Sequence, residues 1–360
     1  MAERLHVPFN VFAMRVDVPV STAVRDGDLG WTCGQCPLTE TGAVHAPGDL
    51  LAQTEFVCDM IETVMARAGF EPSSVGKLHV YFAAKTGREA EDALALITAR
   101  FGYGPLIVPI VVPHFYYDGM LIEVDVFAAS DLQARAPVDT DGVRLELIDA
   151  GDQVSAYAAA SLASRTADEA VDLITRALDR QAMDPAHLLA DFWMSGGTET
   201  EQVARNLQPS RFVTNPDALV RLADPASPVI AASLSFSRQP VAVLTGKTTD
   251  GGLRLTLKRS DRMIWASGTC ANSDLDLVGQ TSSIMQGLDA GLRAAGASFS
   301  DVVKLTAHYT GGASEQELHG NMKVRHGFYK SPGPASTGLP VAGLGNEECR
   351  IAIDVTAVSA

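Results

Sequence analysis

The 360-residue sequence predicts an α+β fold made of three tandem copies of one unit, and alignments of the chain with itself predict it. "WTCGQC" at 31–36 returns as "WASGTC" at 265–270, so that Trp31, Gly34 and Cys36 match Trp265, Gly268 and Cys270 at an offset of 234. "QTEFVCDMIETVMARAGFEPSSVGKLHVYF" (53–82) aligns without a gap with "QTSSIMQGLDAGLRAAGASFSDVVKLTAHY" (280–309) at an offset of 227. Gln53 then matches Gln280, Ile61 Leu288, Met65 Leu292, Gly69 Gly296, Val75 Val302 and Lys77 Lys304. A loop seven residues shorter in the later copy accounts for the change of offset. A middle copy is expected half-way, and "TADEAVDLITRALDRQAMDPAHLLADFWM" (166–194) supplies it, with Ile174, Leu178 and Leu188 on Ile61, Met65 and Val75. Its continuation "SGGTETEQVARN" (195–206) parallels "TGGASEQELHGN" (310–321).

Each copy carries the same series of elements. An alternating strand such as "VRLELID" (143–149) or "LRLTLK" (253–258) leads into a second strand, at Leu29–Cys33, Val154–Ala158 or Met263–Ser267. An amphipathic helix follows, because Val57, Ile61, Val64, Met65 and Ala68 recur at helical spacing and make one apolar face. The next strand is apolar ("KLHVYFAA", "HLLADFWM", "VKLTAHYT"). A more polar helix, a Pro-rich loop and a last strand ("MLIEVDVFAA", "QPVAVLTG", "CRIAIDVTAV") complete the copy. Polar stretches at 131–142 and 247–252 read as linkers, giving units at 1–130, 143–247 and 253–360.

With 46% hydrophobic and 20% charged residues the chain can bury a sizeable core. A net charge of −15 repels phosphate backbones, and no Lys/Arg run offsets it, which argues against a nucleic-acid partner. No apolar stretch approaches the ~18–20 residues of a membrane span, and "MAERLHVPFNVFAMRV" has no signal-peptide pattern. Five cysteines (33, 36, 58, 270, 349) make no disulfide framework. A cytoplasmic setting without a membrane partner is expected. Cys33 and Cys36 form a C-x-x-C pair, open to a redox, metal, nucleophilic or merely structural reading. No second C-x-x-C or His pair completes a zinc site, so neither metal nor cofactor is expected.

"AVRDGDLGWTCGQCPL", followed by "GDLLAQTEFVCDMIETVMARAGFEPSSVGKLHVYF", resembles the Rid (YjgF) family of small enamine/imine deaminases, whose members show a strand ending in S-G-Q, a Q-T-opened helix ending in A-G and a D-V-V-K strand. The likeness covers most of the first and third copies, while the middle copy lacks the S-G-Q turn. More distantly, the pattern is similar to chorismatases and to the threefold-repeated cyanuric acid hydrolases. The resemblance implies three Rid-like (chorismate-mutase-like) domains in one chain: a fused pseudo-trimer, sheets packed inside as a barrel, helices outside and ligand clefts between units. It implies a monomer that acts as a trimer, with any further association weak or dimeric. Cys33 would stand at the Ser of S-G-Q, with Gln35 beside it and Cys36 at the end of the turn.

The family's chemistry uses an Arg after P-A to hold a substrate carboxylate and a Glu in the last strand to activate water. At the Arg position the copies have Ile107, Ser227 and Ser336; at the Glu position Glu123, Val241 and Ala352. Glu123 alone survives and is the candidate general acid/base. "NMKVRHGFYKSPGPASTG" corresponds to the segment that lines the family's cleft, which nominates Asn321, Arg325, His326, Tyr329, Ser336, Thr337 and Gly338 as substrate-binding residues. Arg325 follows Asn321 by one helical turn and could replace the lost guanidinium. His114 and Tyr117, in "PHFYYDG", precede Glu123 and are candidate substrate contacts, as are Cys33 and Gln35 of the turn.

The expected function is a hydrolase or deaminase-type enzyme acting on a small polar metabolite in an inter-domain cleft. The alternatives are a non-catalytic small-molecule-binding pseudo-trimer, or a chorismatase-like or ring-opening amidohydrolase-like enzyme. For the last, "FWMSGGTE" (192–199) offers a Ser-Gly motif without the Ser and Lys that each repeat would need. Two diverged clefts are expected, one holding Glu123 and one lined by Asn321, Arg325 and Ser336–Gly338.

Overall fold

The computed structural model describes residues 4–10, 13, 18–102, 104–197, 200–207, 210–224, 228–248, 251–311 and 315–359. The first sheet holds β1 (Leu5–Pro8), β2 (Ser21–Asp26), β3 (Leu29–Thr32), β4 (Val75–Ala83), β5 (Leu106–Val112) and β6 (Ile122–Ala129), in the order β1-β2-β3-β6-β4-β5. Helix α1 (Leu50–Arg67) joins β3 to β4. Helix α2 (Glu89–Phe101) joins β4 to β5, and this crossover makes that pair parallel in an otherwise antiparallel sheet.

The second sheet is built from β7 (Leu132–Ala134), β8 (Val138–Thr140), β9 (Val143–Ala150), β10 (Gln153–Ser161), β11 (Leu188–Gly196), β12 (Val220–Arg221) and β13 (Val229–Ser237), with α3 (Ala167–Arg180) and α4 (Thr200–Leu207). The third contains β14 (Ala242–Thr248), β15 (Leu253–Ser260), β16 (Met263–Ala271), β17 (Val302–Tyr309), β18 (Ala335–Pro340) and β20 (Cys349–Val358), with α5 (Leu277–Ala294) and α6 (Glu315–His326). A short β19 (Gly343–Leu344) leaves this segment to pair with β12 of the second sheet. The third sheet runs β14-β15-β16-β20-β17-β18 and the second runs β9-β10-β13-β11-β12 through its middle. All three therefore place a hairpin, then the last strand of the segment, then the strand between the two helices, then its parallel partner.

In three places the strands depart from the expected ones. "QPVAVLTG" does not close the second unit: β14, which covers most of it, pairs antiparallel with β15 in the third sheet. The closing strand is β13, where Ile230, Ala232, Leu234 and Phe236 face the core and small residues alternate with them. Segment 131–142 is not a bare linker, since β7 and β8 both pair with β9. Finally, among the described residues the three sheets stay separate and close no barrel.

The repeated Gln-Thr has a structural cause. The buried Gln53 amide donates to Ala46 O (3.0 Å) and Gly119 O (2.8 Å) and accepts from Leu121 N (2.8 Å), tying the start of α1 to the approach of β6. Gln280 does the same at α5, with Asn272 O (2.9 Å), Glu348 O (2.8 Å) and Arg350 N (2.7 Å). A fully satisfied buried amide fixes orientation at little cost, whereas truncating it would orphan three backbone groups. In α3 a capping box of Thr166 and Glu169 takes over the task of starting the helix.

Helices pair over one face of each sheet: Ile61 and Met65 share an apolar cluster with Leu78 and Val80, Ile174 and Leu178 with Leu145 and Leu234, and Ile284 and Leu288 with Leu305 and Ile353. The opposite faces meet one another. Phe192 stacks on His308 (centroids 4.9 Å apart, 16° between planes) and lies 5.6 Å from the His79 ring, and Tyr81 OH is 3.4 Å from His308 Nε2. The contacts between sheets run in a cycle: β18 packs on β2 and β3, β5 on β9 and β10, and β11 on β15 and β16. No helix among the described residues is long and apolar enough to cross a membrane.

Candidate functional site

Where β18 and α6 meet β3, β6 and the loop before β6, a cleft opens between the third and first sheets. Glu123 enters it from β6, opposite Tyr81 on β4. The side chain lies directly on Gly34, where a Cβ would stand 1.7 Å from Glu123 Oε1. It is 8% exposed, and the Cys36 thiol hydrogen-bonds its carboxylate. Burial, reinforced by the Asp125 charge two residues on, raises its pKa to about 8. At neutral pH the carboxyl therefore keeps its proton, the state a general acid needs.

Arg325 enters from the last turn of α6 and is 2% exposed, so it is no surface helix arginine. Its Nε donates to Asn321 Oδ1 (3.0 Å) and its Nη1 to Ser336 Oγ (3.4 Å). The guanidinium lies over Gly338, where a Cβ would come within 2.8 Å of Nη2. Among the described residues no carboxylate lies within ion-pair reach of it. A buried guanidinium with only neutral partners is costly unless an anion joins it.

Below both groups runs a bridge between the two sheets. Lys304 Nζ donates to Thr337 Oγ1 (2.6 Å) and Thr32 O (2.9 Å) and pairs with Asp125 (2.9 Å), while Thr337 Oγ1 donates to Asp125 Oδ1 (2.6 Å). Lys304, read from the sequence only as a repeated position, is thus a pin between sheets, and Asp125 shares the face of Glu123 by strand alternation.

Of the residues nominated from the sequence, Cys33, Tyr117, Glu123, Arg325, His326, Ser336, Thr337 and Gly338 line this one cleft. The two expected clefts are therefore the same place, seen from its two walls. Asn321, Tyr329 and Gln35 stand behind it. Asn321 holds Arg325, Tyr329 OH lies 3.4 Å from Ser336 Oγ, and Gln35 Nε2 donates to Cys33 O (2.8 Å) while its backbone pairs with Val124. His114 is not in the lining; its Nε2 is buried without a partner among the described residues. Burial brings His326 down to about 4, so it is neutral at physiological pH. Burial pushes the Cys33 and Cys36 thiols well up, against thiolate chemistry at either. Sequence reading missed the apolar walls, among them Tyr309, Phe115 and Met322, because core aromatics and cleft aromatics look alike without a register.

The positions equivalent by register at the other two interfaces are filled. Cys33 corresponds to Ser267, opposite Asp354, and to Tyr157, opposite Ser233. Tyr157 inserts into the apolar cluster of the first sheet. Asn215 Nδ2 donates to Ser267 Oγ (3.4 Å) and Thr269 Oγ1 (3.3 Å), closing the third interface. The Glu123 position, opposite Tyr81, corresponds to Ala352, opposite His308, and to Ala231, opposite Met194. Ala231 thus replaces Val241 in that comparison, since Val241 precedes β14. Ser227 lies outside the described residues.

In sequence, residues 256–359 match the family model described as Endoribonuclease L-PSP. Among solved structures, a chorismatase is similar over 79% of this chain and 93% of its own, at 12% identity and a TM-score of 0.50. A Rid-family protein from Yersinia pestis covers 35% of this chain and 99% of its own (19% identity, TM-score 0.31). A YjgF-family member from Mycobacterium tuberculosis covers 35% and 99% (23% identity, TM-score 0.29). At such identity the likeness to the chorismatase is one of fold. No curated protein matches the chain in sequence.

Proposed function

We propose that this chain is a hydrolase or deaminase-type enzyme for a small anionic metabolite, working in the cleft between its first and third sheets. One observation carries the reading: Glu123 on strand β6 and Arg325 on helix α6, far apart in sequence, converge on the same buried cleft. Arg325 would hold the anionic group of the substrate, with Ser336 and the small floor at Gly338 beside it. Glu123 would give its proton to the leaving or unsaturated atom and take one back from the attacking water, so that it ends the cycle as it began. For an imine, the proton goes to nitrogen, water adds to carbon, and ammonia leaves a carbonyl. The arginine differs in origin from the P-A-R arginine of the Rid deaminases, so the substrate differs in the placement of its anion.

A thermal-shift screen of small carboxylates with imine, enamine or enol-ether groups tests the binding half. A ligand at a hundredfold its Kd stabilises by about 2.7 kcal/mol, and the shift is expected in the parent chain and lost in Arg325→Met. A ligand that stabilises both equally would place binding elsewhere. Binding with no turnover of any ligand would favour the non-catalytic reading.

We further propose that the three segments are Rid-like units in one chain, a covalent counterpart of a trimer. Their common strand order and the cyclic packing of their sheets support this. Since the inter-unit surfaces are already used within the chain, a single-chain mass is expected in light scattering; an obligate trimer of chains would contradict it.

A further inference from the structure

Between the three sheets lies a second pocket, of about 150 Å³ and open to solvent, lined like the first by residues beside the Lys304–Asp125 bridge. Its polar residues show what repetition has kept and lost. Lys77 and Lys304 are equivalent by register, opposite Phe127 and Thr356; the second-sheet equivalent, opposite Ser235, is Ala190. Asp125, opposite His79, and Asp354, opposite Thr306, are likewise equivalent, and Ser233, opposite Phe192, is the third.

One interface keeps both charges, Lys304 with Asp125 at 2.9 Å. At the next, Lys77 meets Ser235 Oγ, at 3.4 Å, and the face of the Phe127 ring, 5.9 Å to its centroid, and no carboxylate among the described residues lies within ion-pair reach. At the last, Asp354 faces a strand with alanine in place of the lysine. Its Oδ1 is buried with no hydrogen-bond partner, only Ser267 hydrogen-bonds the carboxylate, and the neighbouring Asp191, itself paired with Lys258 at 3.8 Å, adds a second negative charge for an ammonium to meet. Asp125, 5% exposed, also leaves its Oδ2 unpartnered.

We propose that this pocket is a second ligand site, for a small zwitterion whose carboxylate pairs with Lys77 and whose ammonium pairs with Asp354. The two charges supplied are the two that the repeat has lost. The volume accommodates a benzene-sized molecule, and Ser155, Ser233, Ser235 and Gln153 add hydroxyl and amide partners along its wall. His79 and His308 also line it; burial keeps both rings neutral, so neither competes for the charged ends. Apart from the proposal, burial draws Lys77 down to about 8, and burial together with the nearby Asp191 charge lifts Asp354 to about 7, as for two charges awaiting partners.

Isothermal titration of the full chain with glycine, β-alanine and γ-aminobutyrate, which place the two charges at increasing separation, tests it. Propionate and propylamine serve as the two half-ligands. At least one amino acid should bind ten times or more tightly than either half-ligand. Lys77→Met and Asp354→Asn should each weaken it tenfold or more, while Arg325→Met, in the other cleft, leaves it unchanged. The proposal is overturned if none of the three binds, if a half-ligand binds as well, or if Arg325→Met abolishes binding. Should a charge variant fail to fold, the half-ligand comparison on the parent chain still decides.

Discussion

Glu123→Gln is expected to lower turnover by about 10²–10⁴-fold and to leave the affinity for a carboxylate ligand nearly unchanged. Glutamine keeps the shape and one hydrogen-bond acceptor but can neither give nor take the proton, while the Arg325 side of the cleft is untouched. Turnover of the parent chain should fall above about pH 8, where the acid loses its proton. Stability gives an independent readout, and its sign follows from linkage. The folded pKa, about 8, exceeds the ordinary 4.5, so between these values the native state holds a proton that the unfolded chain has released. The contribution of Glu123 is thus most favourable below about pH 4.5, declines as pH rises, and is fully lost above about pH 8. Glutamine has no such loss. The variant should therefore gain on the parent between pH 5 and pH 8.5, by a few kcal/mol at about 1.4 kcal/mol per pK unit. A melting-temperature difference that stays flat with pH would mean that the carboxylate is hydrated in solution, and the general-acid assignment would fail with it.

The sequence is informative where the physics is periodic. Ile61, Met65 and Leu288 face the core because one helical face must, and Gln53 and Gln280 recur because each satisfies three buried backbone groups. It is less informative where pairing partners decide. "QPVAVLTG" and "VIAASLSFS" both read as strands, and only the ladder shows that the second lies inside the second sheet, between β10 and β11, while the first joins the next sheet. The same limit applies to the site. Glu123 and Arg325 were each legible, one from a carboxylate in an apolar strand and one from helical spacing to Asn321. That they share a cleft depends on packing between segments some 200 residues apart in the chain. Lys304 carried no signal of its bridging role, because its partner Asp125 lies in another sheet, on a strand remote in sequence.

Gly34→Ala is expected to displace the Glu123 carboxylate and so to cost activity nearly as much as removing it. Gly34 has no positive φ, so the backbone admits alanine; the obstacle is space. The added methyl would stand 1.7 Å from Oε1, 2.6 Å from Cδ and 2.9 Å from Cγ of Glu123, and all three atoms must move. They belong to a side chain and not to the backbone, so the fold should survive with an overpacking penalty of about 1–3 kcal/mol. A double-mutant cycle separates this cause from a general weakening of the β3 turn. With Glu123→Ala already in place the clashing atoms are gone, and the methyl of Gly34→Ala enters vacated space. The two stability losses should then fall short of additive by about the overpacking penalty. Strict additivity would show that Gly34 serves the turn and not the carboxylate. Carboxylate and glycine would then be neighbours without being a unit, and Glu123 would have to be held in the cleft by Cys36 and burial alone.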